Sequence, residues 1–183
     1  VFNPKSGTIQ AQKYDNNGNK IGNNYAVYDR SSGDTKNILD LESITLSNGK
    51  IVLLWRNNFD SSSTYDIFYQ ILDLNGNLIG GMGDPRRVNL ADDHDEGYFS
   101  VDSFPDGGFI VSWTDFSGHD VKYQRFDSYG NKFGTEQLVD SSNLDKPGSY
   151  DYSSYESNHS DVAVLENGSY IITWVYSQVE GFS

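Results

Sequence analysis

Short apolar runs alternate along this chain with polar tetrapeptides that carry glycine, and no stretch keeps the 3.6-residue period of an amphipathic helix. In "DVKYQRFD" (120–127), Val121, Tyr123 and Arg125 fall on one side, and Lys122, Gln124 and Phe126 on the other. That is the two-residue period of a strand. The runs "IVLLW" (51–55), "FIVSW" (109–113) and "YIITW" (170–174) are continuous rather than alternating, which predicts strands buried on both faces. Each follows an Asn-Gly or Asp-Gly turn signal, "SNGK", "PDGG" or "ENGS", of the kind that closes a β-hairpin.

The pattern repeats. An eleven-residue phrase, Q-x-[YFL]-D-x-x-G-N-x-[IF]-G, begins at Gln12, Gln70 and Gln124. A second phrase ends at Trp55, Trp113 and Trp174, each six residues after a glycine: Gly49, Gly107 and Gly168. A third echo, "DIFYQ" at 66–70 and "DVKYQ" at 120–124, leads back into the first. In the first phrase the glycine and the following asparagine, as in Gly130 and Asn131, tolerate positive φ and turn the chain. Asp15, Asp73 and Asp127 stand where an aspartate caps such a turn through its own carboxylate.

Counting one strand on each side of each turn gives about four strands per unit, with units at about 8–65, 66–119 and 120–183 of a single domain spanning 1–183. The expected fold is all-β: three repeated four-stranded units in a propeller-like or pseudo-three-fold array. Three units are few for a propeller, and a barrel or a compact stack of sheets remains open.

Composition sharpens this. Thirteen Tyr, ten Phe and three Trp supply much of the hydrophobicity, and eighteen Gly supply turns. There is no cysteine, so disulfides, thiolate metal sites and cysteine catalysis are excluded. The formal charge of −13 argues against a nucleic-acid partner, which needs clustered Lys and Arg. No run of 18 apolar residues is present, so insertion into a membrane is not expected, and no charged-then-apolar leader opens the sequence. That opening is expected of a mature fragment or a module of something larger. Such an excess of carboxylates repels itself unless water, salt or bound cations screen it.

Function is expected where the copies diverge, in the stretches between the repeated phrases. "DDHDE" (92–96) gathers Asp92, Asp93, Asp95 and Glu96, the oxygen chemistry that Ca2+ takes, although a solvated acidic loop reads the same way. No EF-hand spacing is present. Asp115, Asp120, Asp151, Glu156 and Asp161 are weaker candidates of the same kind. Arg86 and Arg87 form the only Arg pair, suited to an anionic ligand or to pairing with nearby aspartates. Tyr150, Tyr152 and Tyr155 suit either a recognition groove or packing. His94, His119 and His159 have no metal-ligand spacing and read as polar loop histidines. No nucleophile elbow, phosphate loop or sialidase-type Asp box is found, so catalysis has no positive support and the chain is expected not to be an enzyme.

The combination of Q-x-[YF]-D-x-x-G-N-x-x-G with [DN]-G-x-[FY]-I-[VI]-[ST]-W resembles repeats of the giant calcium-dependent repeats-in-toxin (RTX) adhesins of Gram-negative bacteria. In size and pattern the chain is similar to the peptide-binding domain among their ligand-binding modules. The resemblance implies a calcium-stabilised module on the bacterial cell surface, monomeric within a much larger chain, which captures C-terminal peptide ends of host-cell surface proteins. A calcium-dependent lectin that binds glycans is the alternative. No short motif here carries the family's contact residues across.

Overall fold

The computed structural model describes residues 8–29, 38–58, 64–79, 85–90, 95–116, 120–139 and 159–175. They contain thirteen strands and no helix: β1 Thr8–Tyr14, β2 Lys20–Asp29, β3 Leu39–Thr45, β4 Ile51–Asn57, β5 Asp66–Leu72, β6 Leu78–Ile79, β7 Arg86–Arg87, β8 Glu96–Ser103, β9 Phe109–Asp115, β10 Asp120–Phe126, β11 Lys132–Leu138, β12 Ser160–Val164 and β13 Tyr170–Trp174. The fold is thus all-β, and the pairings between strands are antiparallel. Among the described residues no helix is long and apolar enough to cross a membrane.

Both kinds of hairpin close by the same turn. In the first kind the Gly18 N–H donates to Asp15 O at 3.1 Å and the Asp15 N–H to Asn19 O at 2.9 Å. In the second, Gly49 N–H donates to Leu46 O and Leu46 N–H to Lys50 O, both at 2.8 Å. Each is a three-residue loop whose last residue is a glycine in the left-handed region, at φ +82° for both Gly18 and Gly49. Two-residue turns with positive φ at Asn48, Asp106 and Asn167 do not form. The asparagine after the glycine is not left-handed either, which corrects the expectation for Asn131. Its amide instead donates to Asp127 Oδ2 at 2.8 Å, and the Asn131 and Tyr129 N–H groups donate to Asp127 Oδ1. Asp15 and Asp73 are bonded identically, as the turn-capping expectation required.

The strands group into four sheets: β1–β2, β3–β4–β5–β6 with β7 also on β5, β8–β9–β10–β11, and β12–β13. The Trp-ended strand pairs with the first strand of the next phrase, Trp55 opposite Phe68 and Trp113 opposite Lys122. Each large sheet therefore joins a tryptophan hairpin to the glycine-asparagine hairpin that follows it, half a repeat out of step with units beginning at 66 and 120. Three sheets of four strands are not what the described residues form. The middle two have four or five strands, and the outer two have two each.

The sheets stack face to face. Ile9, Val27 and Tyr28 of the first pack on Trp55, Phe68 and Leu72 of the second. The opposite face of the second, with Leu54, Ile67, Tyr69 and Ile71, packs on Phe109, Val111, Trp113 and Phe126 of the third. Ile110 on the far side of the third sheet then meets Val162 of the fourth. Alternate residues of β4, β5 and β9 serve different cores, which is why these strands are apolar throughout. At the centre the Phe109 and Phe126 rings stack at 4.5 Å, and Tyr69 meets both edge-on. Such aromatic pairs contribute about 0.5–1.5 kcal/mol each beyond their area. The run "YIITW" departs from its expectation: Ile171, Thr173 and Trp174 are exposed, because among the described residues the fourth sheet packs on one side only.

Candidate functional site

The first strands of three successive sheets, β3, β8 and β12, lie side by side. Between them is a cleft of about 300 Å³ lined by Asp40, Leu41, Glu42, Tyr98, Phe99, His159 and Ser160. These residues are equivalents. Asp40, Tyr98 and His159 each stand nine residues before the turn glycine of their repeat, followed by Leu41, Phe99 and Ser160 in the next place. The third place holds Glu42, Ser100 and Asp161. One location, present three times, carries three chemistries.

The backbone sets this up. The β3–β4 and β8–β9 ladders slip at Leu39/Leu41 and Gly97/Ser100. The residues at those bulges, Asp40 at φ +48° and Tyr98 at φ +46°, are the non-glycine residues with positive φ among those described. For a bulky side chain this conformation costs about 1–2 kcal/mol. Strain of that kind persists only where the surroundings over-determine it, and it gathers at binding sites. Around Tyr98 the surroundings are visible: its ring lies edge-on to Phe116 at 5.3 Å and against the His159 ring at 4.1 Å. Gly97 beside it has to be small, since a Cβ there would come 2.6 Å from the Phe116 ring and 2.5 Å from Arg56 Nη1.

The cleft is acidic and aromatic. Asp40 Oδ2 is 3.0 Å from Arg56 Nε, and Arg56 Nη1 donates to Glu96 O at 3.2 Å. Burial, helped by the negative charge of Asp161, raises the Glu42 carboxyl above the usual carboxylate range. Asp161 Oδ1 accepts the Ser100 hydroxyl at 2.6 Å. Strand β12 docks on β8 through side chains, the Val164 N–H donating to Asp102 Oδ2 at 2.7 Å and the Ser160 hydroxyl to Tyr98 O at 3.4 Å.

The other candidates lie elsewhere. Glu96 is buried and its Oε2 accepts the Asn89 amide at 2.9 Å; the same amide donates to Asp66 Oδ1 at 2.7 Å, and Arg87 pairs with Asp66 Oδ2 at 3.1 Å. This network ties β5, β7 and β8 together. Arg86 stands over the Tyr69 ring at 5.4 Å and donates to the Tyr129 and Gly130 carbonyls of the neighbouring sheet. Asp115 holds Lys122 at 2.8 Å, which also meets Glu136 at 3.3 Å. Burial lowers the affinity of that ammonium for its proton, but the two carboxylates outweigh it and the pKa is raised. Asp120 lies opposite Asp115 in the ladder, and Asp95 Oδ1 accepts the Tyr65 N–H at 2.9 Å. Asp92, Asp93, Asp151, Glu156, Tyr150, Tyr152 and Tyr155 lie outside the described residues, as do His94 and His119.

Calcium needs six to eight converging oxygens. Glu96 and Asp120 both stand opposite Asp115 in the third sheet, but Glu96 accepts the Asn89 amide, Asp115 holds Lys122, Asp95 accepts the Tyr65 N–H and Asp161 accepts the Ser100 hydroxyl. Among the described residues no three His, Cys, Asp or Glu side chains are grouped to hold a metal ion. The described residues do not by themselves fit a calcium site.

The sequence pattern does not single out the cleft residues, which lie on or beside strands rather than in the acidic insertions. Aligning the repeats on their turn glycines brings Asp40, Tyr98 and His159 into one column, but the neighbouring columns, Leu39/Gly97/Asn158 and Leu41/Phe99/Ser160, differ as well and do not single it out. Comparisons with protein-family models, curated proteins and solved structures find no match for this chain.

Proposed function

We propose that this chain is a non-catalytic ligand-binding module of an extracellular bacterial adhesin, built as a propeller-like array with β3, β8 and β12 innermost. Its ligand sits in the cleft between them. One observation carries the reading: three equivalent places in the repeats, around one cleft, have become Asp40, Tyr98 and His159. A mere spacer has no use for such divergence, and two of these places keep a strained backbone.

Two ligand classes follow from different observations. The resemblance to RTX adhesin repeats supports capture of C-terminal peptide ends. A terminal carboxylate is repelled by Asp40, Glu42 and Asp161, so this reading relies on calcium held through Asp92 and Asp93, which lie outside the described residues. The cleft's own chemistry favours the lectin reading: its carboxylates accept hydrogen bonds from sugar hydroxyls, and Tyr98 and His159 offer ring faces to a pyranose.

Titration calorimetry with matched peptides bearing free or amidated C-termini, with and without chelator, separates the two. Tighter binding of the free carboxyl, lost on chelation, supports the peptide reading. Equal binding of both peptides removes it. Binding of simple sugars, weakened roughly tenfold in a Tyr98→Ala variant, supports the lectin reading. Binding of neither class removes the assignment.

A further inference from the structure

The third sheet encloses a lysine where the second encloses a phenylalanine. Two residues before the glutamine of the repeated phrase stand Phe68 in β5 and Lys122 in β10. Each faces the tryptophan of the preceding strand, Trp55 for Phe68 and Trp113 for Lys122. Eight residues after the turn glycine stand Asn57 in β4 and Asp115 in β9. Both places are inside the fold, Asn57 fully buried and Asp115 1% exposed. The Lys122 side chain is 13% exposed. One copy of the repeat has thus exchanged a ring and an amide for an ammonium and a carboxylate. A buried ion pair loses the hydration of both charges, and an apolar pair of similar volume is often as stable or more so. Stability alone gives no reason for the exchange.

The three groups around Lys122 are arranged for more than pairing. Its Nζ is 2.8 Å from Asp115 Oδ2 and 3.3 Å from Glu136 Oε1. Glu136 comes from β11, on the opposite side of β10 from β9, and its side chain is 10% exposed. Its second oxygen accepts the Leu90 N–H at 2.8 Å. One oxygen is thereby held by the backbone while the other meets the lysine nitrogen. An amine, a carboxyl group within hydrogen-bond reach and a second carboxylate able to carry protons share one secluded place. Such positioning supplies effective molarities of about 10⁵–10⁸ M in well-oriented intramolecular reactions.

We propose that Lys122 and Asp115 become joined by an amide bond, formed by the folded chain itself with Glu136 as proton carrier. The reacting form is the neutral pair, reached when the ammonium passes one proton to Asp115 along their hydrogen bond. The neighbouring carboxylates favour the ammonium, so this form is the minor one, while burial disfavours both charges and works towards it. A step that is not reversed needs only a minor form. The neutral amine is a nucleophile, and its nitrogen attacks Asp115 Cγ to make the N–C bond. Glu136 takes a proton from that nitrogen and passes it to the hydroxyl on Cγ, which leaves as water when the C–O bond breaks. Of the three ammonium protons, two end on the water and one on the amide. Glu136 finishes as it began, and no other reactant is required. The product is neutral where two charges stood, which favours it in a buried site. The bond staples β9 to β10, and it depends on no reading of ligand or calcium.

Intact mass spectrometry of the purified, folded chain tests this. The chain is expected to weigh about 18 Da less than its sequence requires, one water having been lost in the covalent modification. Trypsin is expected not to cut after Lys122, and tandem fragmentation to show no breaks between Asp115 and Lys122. Lys122→Arg keeps a cation beside Asp115 but has no amine to acylate, and is expected at its full calculated mass. Glu136→Gln is expected to slow the mass change by about 100-fold, the usual contribution of a positioned proton carrier. Ring closure at Asp106-Gly107 also releases one water, so the position is read from the fragments. A loss mapped there, or an amide to Glu136 in place of Asp115, overturns the proposal. So does a full calculated mass after days of incubation at mildly alkaline pH, where the neutral amine is most populated. An equal rate in Glu136→Gln overturns the part given to Glu136 while the amide stands.

Discussion

The imidazole of His159 lies 4.1 Å from the phenol ring of Tyr98, and the two residues hold the same place in successive repeats. Asp40 completes the set across the cleft. Repetition supplies the scaffold, and substitution at one repeated place gives it a site.

Tyr98→Gly separates site from scaffold. Glycine accepts the φ of +46° without strain, which offsets the lost ring contacts, so the melting temperature is expected to stay within about 2 °C of the parent. Binding of the ligand found by calorimetry is expected to weaken roughly tenfold, the loss typical of a truncated aromatic anchor. A large fall in melting temperature with unchanged affinity would show that the ring serves the fold alone.

Acid sensitivity should come from the repeated turns. Side-chain and backbone hydrogen bonds from Asn19 hold Asp15 below the usual carboxylate range, and those from Asn77 do the same for Asp73. At Asp127 slight burial pushes upward, and the bonds from Asn131, Tyr129 and Gly130 together outweigh it. A lowered folded-state pKa means stability that is present above the unfolded value and lost as pH falls through the folded one. Melting temperature is therefore expected to drop below about pH 4. An Asp15→Asn/Asp73→Asn/Asp127→Asn variant keeps an acceptor in each turn and is expected to show a shallower drop across the same window.

Glu42 acts with the opposite sign. Its raised pKa means that folding favours the protonated form, so its ionisation costs stability as pH rises past the ordinary glutamate range. With the side chain only half-buried, water screens much of this. Glu42→Gln is expected to raise the melting temperature by about 1–2 °C at pH 7, and the gain should vanish below about pH 4. A gain that persists in acid would point to packing instead.

Position in the stack, not residue type, should decide what a tryptophan contributes. Trp113 is fully buried between two sheets, and Trp113→Ala is expected to cost about 3–5 kcal/mol in urea unfolding. Trp174 is partly exposed, and Trp174→Ala is expected to cost about 1 kcal/mol or less. Equal costs would mean that residue type, not position in the stack, decides.

What the sequence determined by itself was local. The hairpins, the capping aspartates Asp15, Asp73 and Asp127, the glycines that end each turn and the two-sided burial of β4 and β9 all follow from interactions within about five residues or from the two-residue period. Even there, the turns are three-residue loops rather than two, because a right-handed Asn48 followed by a left-handed Gly49 closes the hairpin without placing asparagine in a strained conformation. Only the tertiary structure decided which hairpins share a sheet, since Trp55 bonds to Phe68 across a long connection that no local signal encodes. It likewise decided that Glu96, Asp115, Arg86 and Arg87 have internal partners, because burying a charge demands one wherever the packing provides it. The convergence of Asp40, Tyr98 and His159 belongs to the same class: three residues far apart in the chain meet because the first strands of stacked sheets, two of them bulged, lie side by side.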